Sequence, residues 1–469
     1  MTETPIHHRY GFCAVAPSPE AAALIRAERD LNPAAAALAE SVAPPPRPLG
    51  YNDGMIIPPT EFPPGTPEAV LRSTALTRTP LRGAVRVIVV LVDFPDRAME
   101  RPAEEFDDLF FSTGVLPNGS VREYYREVSG GLIDLVGKTV GPLRLPRPLS
   151  WYANGNFGIG RPSGAPRANI MAQDAARAAD GIVDFTSYDN DGNGFVDAFV
   201  IVHAGRGGEE TRRPGDIWSH KWVLPSVHRA DATSIFAYLT IPEDSKIGVC
   251  AHELGHLLFG FPDLYDADDT SEGLGDWCLM AGGSWGGGGD VPVHPSAWCK
   301  VNQGWATAVN VTTPGPLTLP DVKDSNTVHR MWTDGRTGPE YFLMENRQRT
   351  GYDASLPGDG LLIWHVDETR ENNQDERRYM VGLVQADGRR DLEANRNRGD
   401  AGDPYPGRSE NTRFDGESTP SSDSHSGRAT HVAVTGIARD GATMTVHAAV
   451  TAPAGVDDEQ KPVAVGSHM

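Results

Sequence analysis

The sequence predicts an α+β domain followed by a separate β-sandwich-like domain, on three observations. Between residues 81 and 310, continuous apolar β-branched runs are interspersed with stretches of helical pattern. After Asn310 the texture changes to short β-type runs separated by Gly, Pro, Asp and Asn. The chain has 469 residues, more than one compact core usually organises. The expected division is a propeptide-like segment at 1–80, a first folded domain at 81–310, a β-rich domain at 311–450 and a tail at 451–469. The closing Gly-Ser-His-Met reads as a cloning scar.

Residues 1–80 are rich in Ala and Pro, with breakers at Pro44-Pro45-Pro46, Pro58-Pro59 and Pro63-Pro64. A short helix at 19–28 is the only regular element expected there. Residues 85–94 (VRVIVVLVDF) read as a buried strand. Helices follow at 102–111 and 120–129, the second opened by a capping box of Ser120 and Glu123. Residues 168–180 form a longer helix closed by Gly181. Strands are expected at 195–203 and 235–241. A helix at 247–259 is capped by Asp244 or Ser245 and stopped by Gly260 and Pro262. In the second half, strands are expected at 341–346, 360–366, 379–385, 432–438 and 442–450, with 389–426 as a long polar loop.

The net charge of -21 argues against a non-specific nucleic-acid binder, which needs a basic surface to displace counterions. No apolar run reaches the ~20 residues of a membrane span. The opening MTETPIHHRYGF lacks the basic start and apolar core of a secretory signal. Four cysteines, Cys13, Cys250, Cys278 and Cys299, are too few for a disulfide scaffold.

Residues 251–256 read AHELGH. Histidines four apart lie on one helix face, so the imidazoles of His252 and His256 can reach one ion. Neutral imidazole is a zinc ligand, and a catalytic zinc takes three protein ligands plus water. Glu253, beside the first ligand, can take a proton from that water and pass it to a leaving amine. The apolar flanks Ile247, Val249, Leu254, Leu257 and Leu258 imply a buried helix, where ionisable groups are costly without a partner. For the third ligand the residues alone leave Asp263, Asp266, Glu272 and Asp276 open.

A second constellation is Asp189-Asn190-Asp191-Gly192-Asn193-Gly194-Phe195-Val196-Asp197. It offers oxygens at positions 1, 3, 5 and 9, a glycine at 6 and a backbone carbonyl at 7, as in the first part of an EF-hand loop. Calcium held by Asp189, Asp191, Asn193, the Phe195 carbonyl and Asp197 is therefore expected. Position 12 is Val200, inside an apolar run, so the loop would be fused to a strand.

Several of these segments together resemble the immune inhibitor A-like metallopeptidases, a secreted bacterial family with a metzincin-like zinc domain. The resemblance rests on SVREYYREVSGG (120–131), DNDGNGFVDAFVIVHAG (189–205), HELGHLLFGFPDLYD (252–266), GDWCLMAGGSW (275–285), AWCKVNQGW (297–305), ENRQ (345–348) and GDGLLIWHVDE (358–368). It carries the zinc motif to His252, Glu253 and His256, and the following Pro-Asp-Leu-Tyr-Asp block to 262–266. That makes Asp263 the favoured third ligand, although the family pattern has no counterpart of Phe259. It makes Met280 the Met-turn residue beneath the metal. It implies a secreted zinc endopeptidase acting on protein or peptide substrates, although the chain shows no signal peptide. It does not define oligomeric state.

The expected substrate mode is β-augmentation beside residues 235–241. Two other readings stand beside the endopeptidase: a catalytically inactive zinc-containing binding or surface protein, and a zinc hydrolase of small amides or esters. His203, His220, His294 and His365 read as structural histidines, and Tyr265 as a secondary candidate for a transition-state donor. Cys278 and Cys299 are the expected disulfide pair if the protein is exported. Cys250, about 200° around the helix from His252, faces away from the metal. Cys13 is a candidate zinc switch: a thiolate brought back by the N-terminal segment would displace the catalytic water and make a latent zymogen. An exposed incidental thiol and a disulfide to Cys250 are the alternatives.

Overall fold

The computed structural model describes residues 12–31, 79–161 and 164–451, with positions 58, 61–63 and 66. Most of the Pro-rich stretch and of the tail expected above lies outside the described residues. A six-stranded sheet organises the first half of the chain. Its strands are β1 (Cys13–Ala14), β2 (Gly83–Asp93), β3 (Ile133–Arg144), β4 (Phe199–His203), β5 (His220–Ala230) and β6 (Thr233–Pro242), in the order β1-β5-β6-β4-β2-β3. Strands β3, β2, β4 and β6 run parallel; β5 is antiparallel to β6, and β1 antiparallel to β5. The domain is therefore mixed α/β.

The apolar run of β2 is explained by burial on both faces. Val85, Val87, Val89 and Leu91 point into one hydrophobic cluster, and Ile88, Val90 and Val92 into another. The first cluster receives α2 (Ala103–Phe111), α3 (Val121–Val128) and α5 (Ile247–Phe259); the second receives α4 (Ala168–Ala179). Helix α1 is Pro19–Leu31. Ser120 caps α3 by accepting the Glu123 N–H at 3.2 Å. The reciprocal half of the expected box is absent, because the Glu123 carboxylate accepts from the Gly114 N–H instead.

All thirteen residues of α5 are buried, as a helix apolar on nearly every side requires. Its N-cap is Lys246, with no side-chain cap, rather than Asp244 or Ser245. Gly260 ends it in the left-handed region at φ 64°, where a side chain would be strained. Two strand expectations also change. The run at 195–203 is strand only from Phe199, because 195–198 close the acidic loop and Val196 N–H bonds to Ser234 O. Residues 235–241 belong to β6, an interior strand between β5 and β4; the edge is β5, and β1 lies on it.

The remaining strands are β7 (Thr307–Asn310), β8 (Gly315–Leu319), β9 (Thr327–Met331), β10 (Glu340–Arg347), β11 (Gly360–Asp367), β12 (Val381–Leu383), β13 (Arg413–Phe414), β14 (Ala433–Asp440) and β15 (Thr443–Ala449). They form a five-stranded sheet β12-β11-β10-β9-β7 and a four-stranded sheet β13-β14-β15-β8. Phe342, Met344, Leu361 and Ile363 on one face of the first sheet pack with Val434, Met444, Val446 and Ala448 of the second. The opposite face contributes Leu343, Leu362, Trp364 and Val366 to the same cluster as α5. The hydrophobic core thus runs across residue 310. The ENRQ segment lies at this seam: Arg347 and Asp353 form a fully buried ion pair, and Arg347 Nη1 donates to Trp277 O at 2.8 Å. Removing one partner of such a pair leaves a buried charge, so the seam is tightly specified.

Candidate metal centre

Helix α5 sets His252 and His256 one turn apart, with their Nε2 atoms 3.0 Å from each other. The other ring nitrogens meet backbone carbonyls: His252 Nδ1 lies 2.9 Å from Leu279 O and His256 Nδ1 2.5 Å from Phe261 O. A carbonyl only accepts, so each Nδ1 carries the proton and each neutral ring presents a bare Nε2. Burial lowers the His252 pKa and so favours the neutral ring. After the turn at Gly260 the chain brings Asp263 back. Its Oδ1 lies 3.2 Å from His252 Nε2 and 3.1 Å from His256 Nε2.

Three buried acceptor atoms therefore converge with no proton between them, an arrangement that needs a cation. Ligands 2.0–2.1 Å from a tetrahedral zinc stand about 3.3 Å apart, so these residues fit that ion. Glu253 is fully buried, no side chain bonds to its carboxylate among the described residues, and the backbone of Val15 on the N-terminal arm faces it. Burial pushes its carboxyl well above the ordinary value. Met280 packs against the helix at Gly255, one residue before His256: a Cβ on Gly255 would come within 2.9 Å of its Sδ. Asp266 bonds to Thr270 and Ser271, while Glu272 and Asp276 pair with Arg26 and Arg398. Of the four candidate carboxylates, Asp263 alone is brought to the histidines. Asp263→Asn is expected to lower zinc affinity by at least the ~10–100-fold typical of losing even an outer-shell partner. Metal analysis after dialysis checks this, and an unchanged zinc content would remove Asp263 from the ligand set.

The N-terminal arm runs through the same place. Cys13 and Ala14 pair with Lys221 and His220 on the edge of β5. The Cys13 thiol and the ligand atoms of His256 and Asp263 all lie within 4.8 Å of one another, and Cys13 is fully buried. The next carbonyls are held in turn. Tyr265 OH donates to Ala14 O at 2.6 Å, Trp218 Nε1 to Val15 O at 2.9 Å and Trp285 Nε1 to Ala16 O at 2.9 Å. Helix α1 then pairs Arg26 with Glu272 and Glu28 with Arg212. Sequence reasoning missed Trp218, Trp285 and the β5 edge, because each acts on residues some two hundred positions away.

In the acidic loop, one oxygen each of Asp189, Asp191 and Asp197 lie within 4.8 Å of one another. Asp189 accepts the N–H groups of Asn193 and Gly194 at 3.0 and 2.9 Å, and Asn193 Oδ1 accepts the Phe195 N–H at 2.9 Å. None of the other four histidines singled out in the sequence joins this centre. His203 Nδ1 meets Ala204 O, His220 lies between Trp218 O and Tyr238 OH, His294 meets Glu127 and His365 meets Glu340. Cys278 and Cys299 are buried thiols hydrogen-bonded to each other, so the expected disulfide is not formed. Cys250 is also a buried thiol and is not bonded to Cys13.

Residues 82–308 match the family model described as immune inhibitor A peptidase M6, catalytic domain. The Pre-pro-metalloprotease PrtV of Vibrio cholerae serotype O1 is 31% identical over 276 residues, which are 46% of this chain and 29% of that protein. Immune inhibitor A of Bacillus thuringiensis subsp. alesti is 32% identical over 230 residues, 40% of this chain and 33% of that protein. The similarity thus spans about a third of the length of these relatives.

Proposed function

We propose that the chain is a zinc-dependent endopeptidase made in a latent form. The observation that carries the reading is the convergence of two proton-free imidazole nitrogens and a carboxylate beside a buried glutamate. His252, His256 and Asp263 would hold the zinc, which when bound supplies a polarised water and a Lewis acid for the scissile carbonyl. Glu253 takes the proton of the attacking water and delivers it to the leaving amine, from its position one residue after His252 on the same helix. Met280 supports the helix from below. The substrate is an extended protein or peptide segment, paired antiparallel on the edge of β5 in the place that β1 occupies. Tyr265, Trp218 and Trp285 would then bind substrate carbonyls as they bind those of residues 14–16. Digestion of casein by the chain freed of residues 1–80, abolished by chelation and restored by zinc, tests this reading. Hydrolysis restricted to small esters would favour the alternative hydrolase, and no hydrolysis at all the inactive binding protein.

Latency rests on Cys13, whose thiol lies within 4.8 Å of the ligand atoms of His256 and Asp263. A thiolate there would fill the fourth metal position and exclude the water. Export of the protein is part of the same proposal, as is calcium in the 189–197 loop. Calcium would neutralise three aspartates and pin the start of β4 against β6. At a hundredfold excess over its Kd the ion contributes about 2.7 kcal/mol, worth roughly 5–10 °C in a domain of this size. Chelating calcium at fixed zinc should lower the Tm by that amount and speed autolysis; an unchanged Tm would remove calcium from the account. No helix among the described residues is long and apolar enough to cross a membrane.

A further inference from the structure

A second group of metal-ligand side chains lies in the C-terminal half, apart from the site described above. Glu340 opens β10, His365 lies on the adjacent β11, and His425 lies in the loop 415–432 that leads into β14. One ligand atom from each lies within 4.8 Å of the other two. The imidazoles of His365 and His425 are stacked, with centroids 3.9 Å apart and planes 1° from parallel. Glu340 Oε1 lies 3.0 Å from His365 Nε2 and also accepts the backbone N–H of His425 at 2.6 Å. His425 Nε2 is shut off from water and has no hydrogen-bond partner among the described residues. Phe342, with its ring centroid 4.4 Å from that of His365, and Trp332 wall the group on one side.

Ordinary side-chain packing does not account for this arrangement. Two imidazoles face to face cannot both be charged, and a buried ring nitrogen without a partner is costly. Burial lowers the His425 pKa to about 4, with the neighbouring His365 acting in the same direction. The charged groups that face it, Glu340, Asp367 and Arg378, leave it below its ordinary value. Neutral imidazole is the metal-binding form. We propose that Glu340, His365 and His425 form a structural site for a borderline divalent cation, zinc in the first place, which ties the 415–432 loop to the β10–β11 sheet. Two nitrogens and one carboxylate oxygen suit zinc; calcium and magnesium take oxygen-only sets. Both in-plane nitrogen lone pairs reach one ion only when one of the two rings turns out of the stack, so binding would unstack His425 from His365.

The proposal is independent of the peptidase reading, and the test keeps the two apart. The full chain, saturated with zinc and freed of excess metal by gel filtration, should hold two equivalents by mass spectrometric metal analysis. His425→Ala and Glu340→Gln should each lose one equivalent, while Asp263→Asn should lose the other. Added zinc should raise the Tm of stripped Asp263→Asn protein but not of the Asp263→Asn/His425→Ala double variant. A zinc content unchanged by both His425→Ala and Glu340→Gln, or a full-chain crystal with no anomalous zinc peak between His365 and His425, overturns the proposal; the crystal needs no variant to fold.

Discussion

Glu253→Gln in the chain freed of residues 1–80 is expected to lower peptide hydrolysis by about 10²–10⁴-fold with zinc still bound. The expectation follows from where the carboxylate is. It sits one residue after His252 on a helix with no exposed position. Glutamine keeps the size and shape of the side chain but cannot accept and return the proton. A steady-state assay with a quenched peptide, read with zinc content on the same sample, checks it. Loss of activity together with loss of metal would mean that the substitution damaged the centre. Full activity with metal retained would remove Glu253 from the mechanism.

The second large effect concerns the arm. Cys13→Ser in the full chain should raise hydrolysis at least about tenfold, equivalent to weakening closure by ~1.4 kcal/mol. Release should be incomplete, because three carbonyls of the arm keep their donors and each such bond contributes about 0.5–1.5 kcal/mol. Removal of residues 1–80 should release the rest. If Cys13→Ser is as inert as the parent while the shortened chain is active, strand pairing on β5 alone holds the enzyme shut. If the shortened chain is also inert, latency is the wrong account. The alternative in which Cys13 is tied to Cys250 is not the arrangement here, since both are thiols.

What the sequence made legible divides along physical lines. The β2 run and helix α5 stood out because burial on all sides leaves long uninterrupted apolar stretches. His252 and His256 stood out because helical periodicity turns a spacing of four into adjacency. By spacing alone Asp263 is one of four carboxylates; the family resemblance favours it, and its distance from both rings is a consequence of the turn at Gly260 that spacing does not encode. Strand β5 was not read as a strand, because its exposed half is broken by polar residues and Pro225. Its neighbour β6 carries an apolar signature that an edge strand and an interior strand share, so the sequence does not show that it is interior. The acidic stretch at 189–197 was legible by spacing, but the shortening of the following strand to Phe199 was not. Glu340, His365 and His425 are scattered over some eighty residues and carried no signal as a group. Only the pairing of β10 with β11 and the return of the 415–432 loop bring them together.

The central claim is that one zinc ion is held by α5 and the turn that follows it. A crystal of the full chain, measured on both sides of the zinc absorption edge, tests it most directly. The account predicts an anomalous peak about 2.0–2.2 Å from His252 Nε2, His256 Nε2 and Asp263 Oδ1, with the Cys13 thiol as its fourth neighbour. An absence of anomalous density between the two histidines, or a peak there with Asp263 turned away, would contradict it.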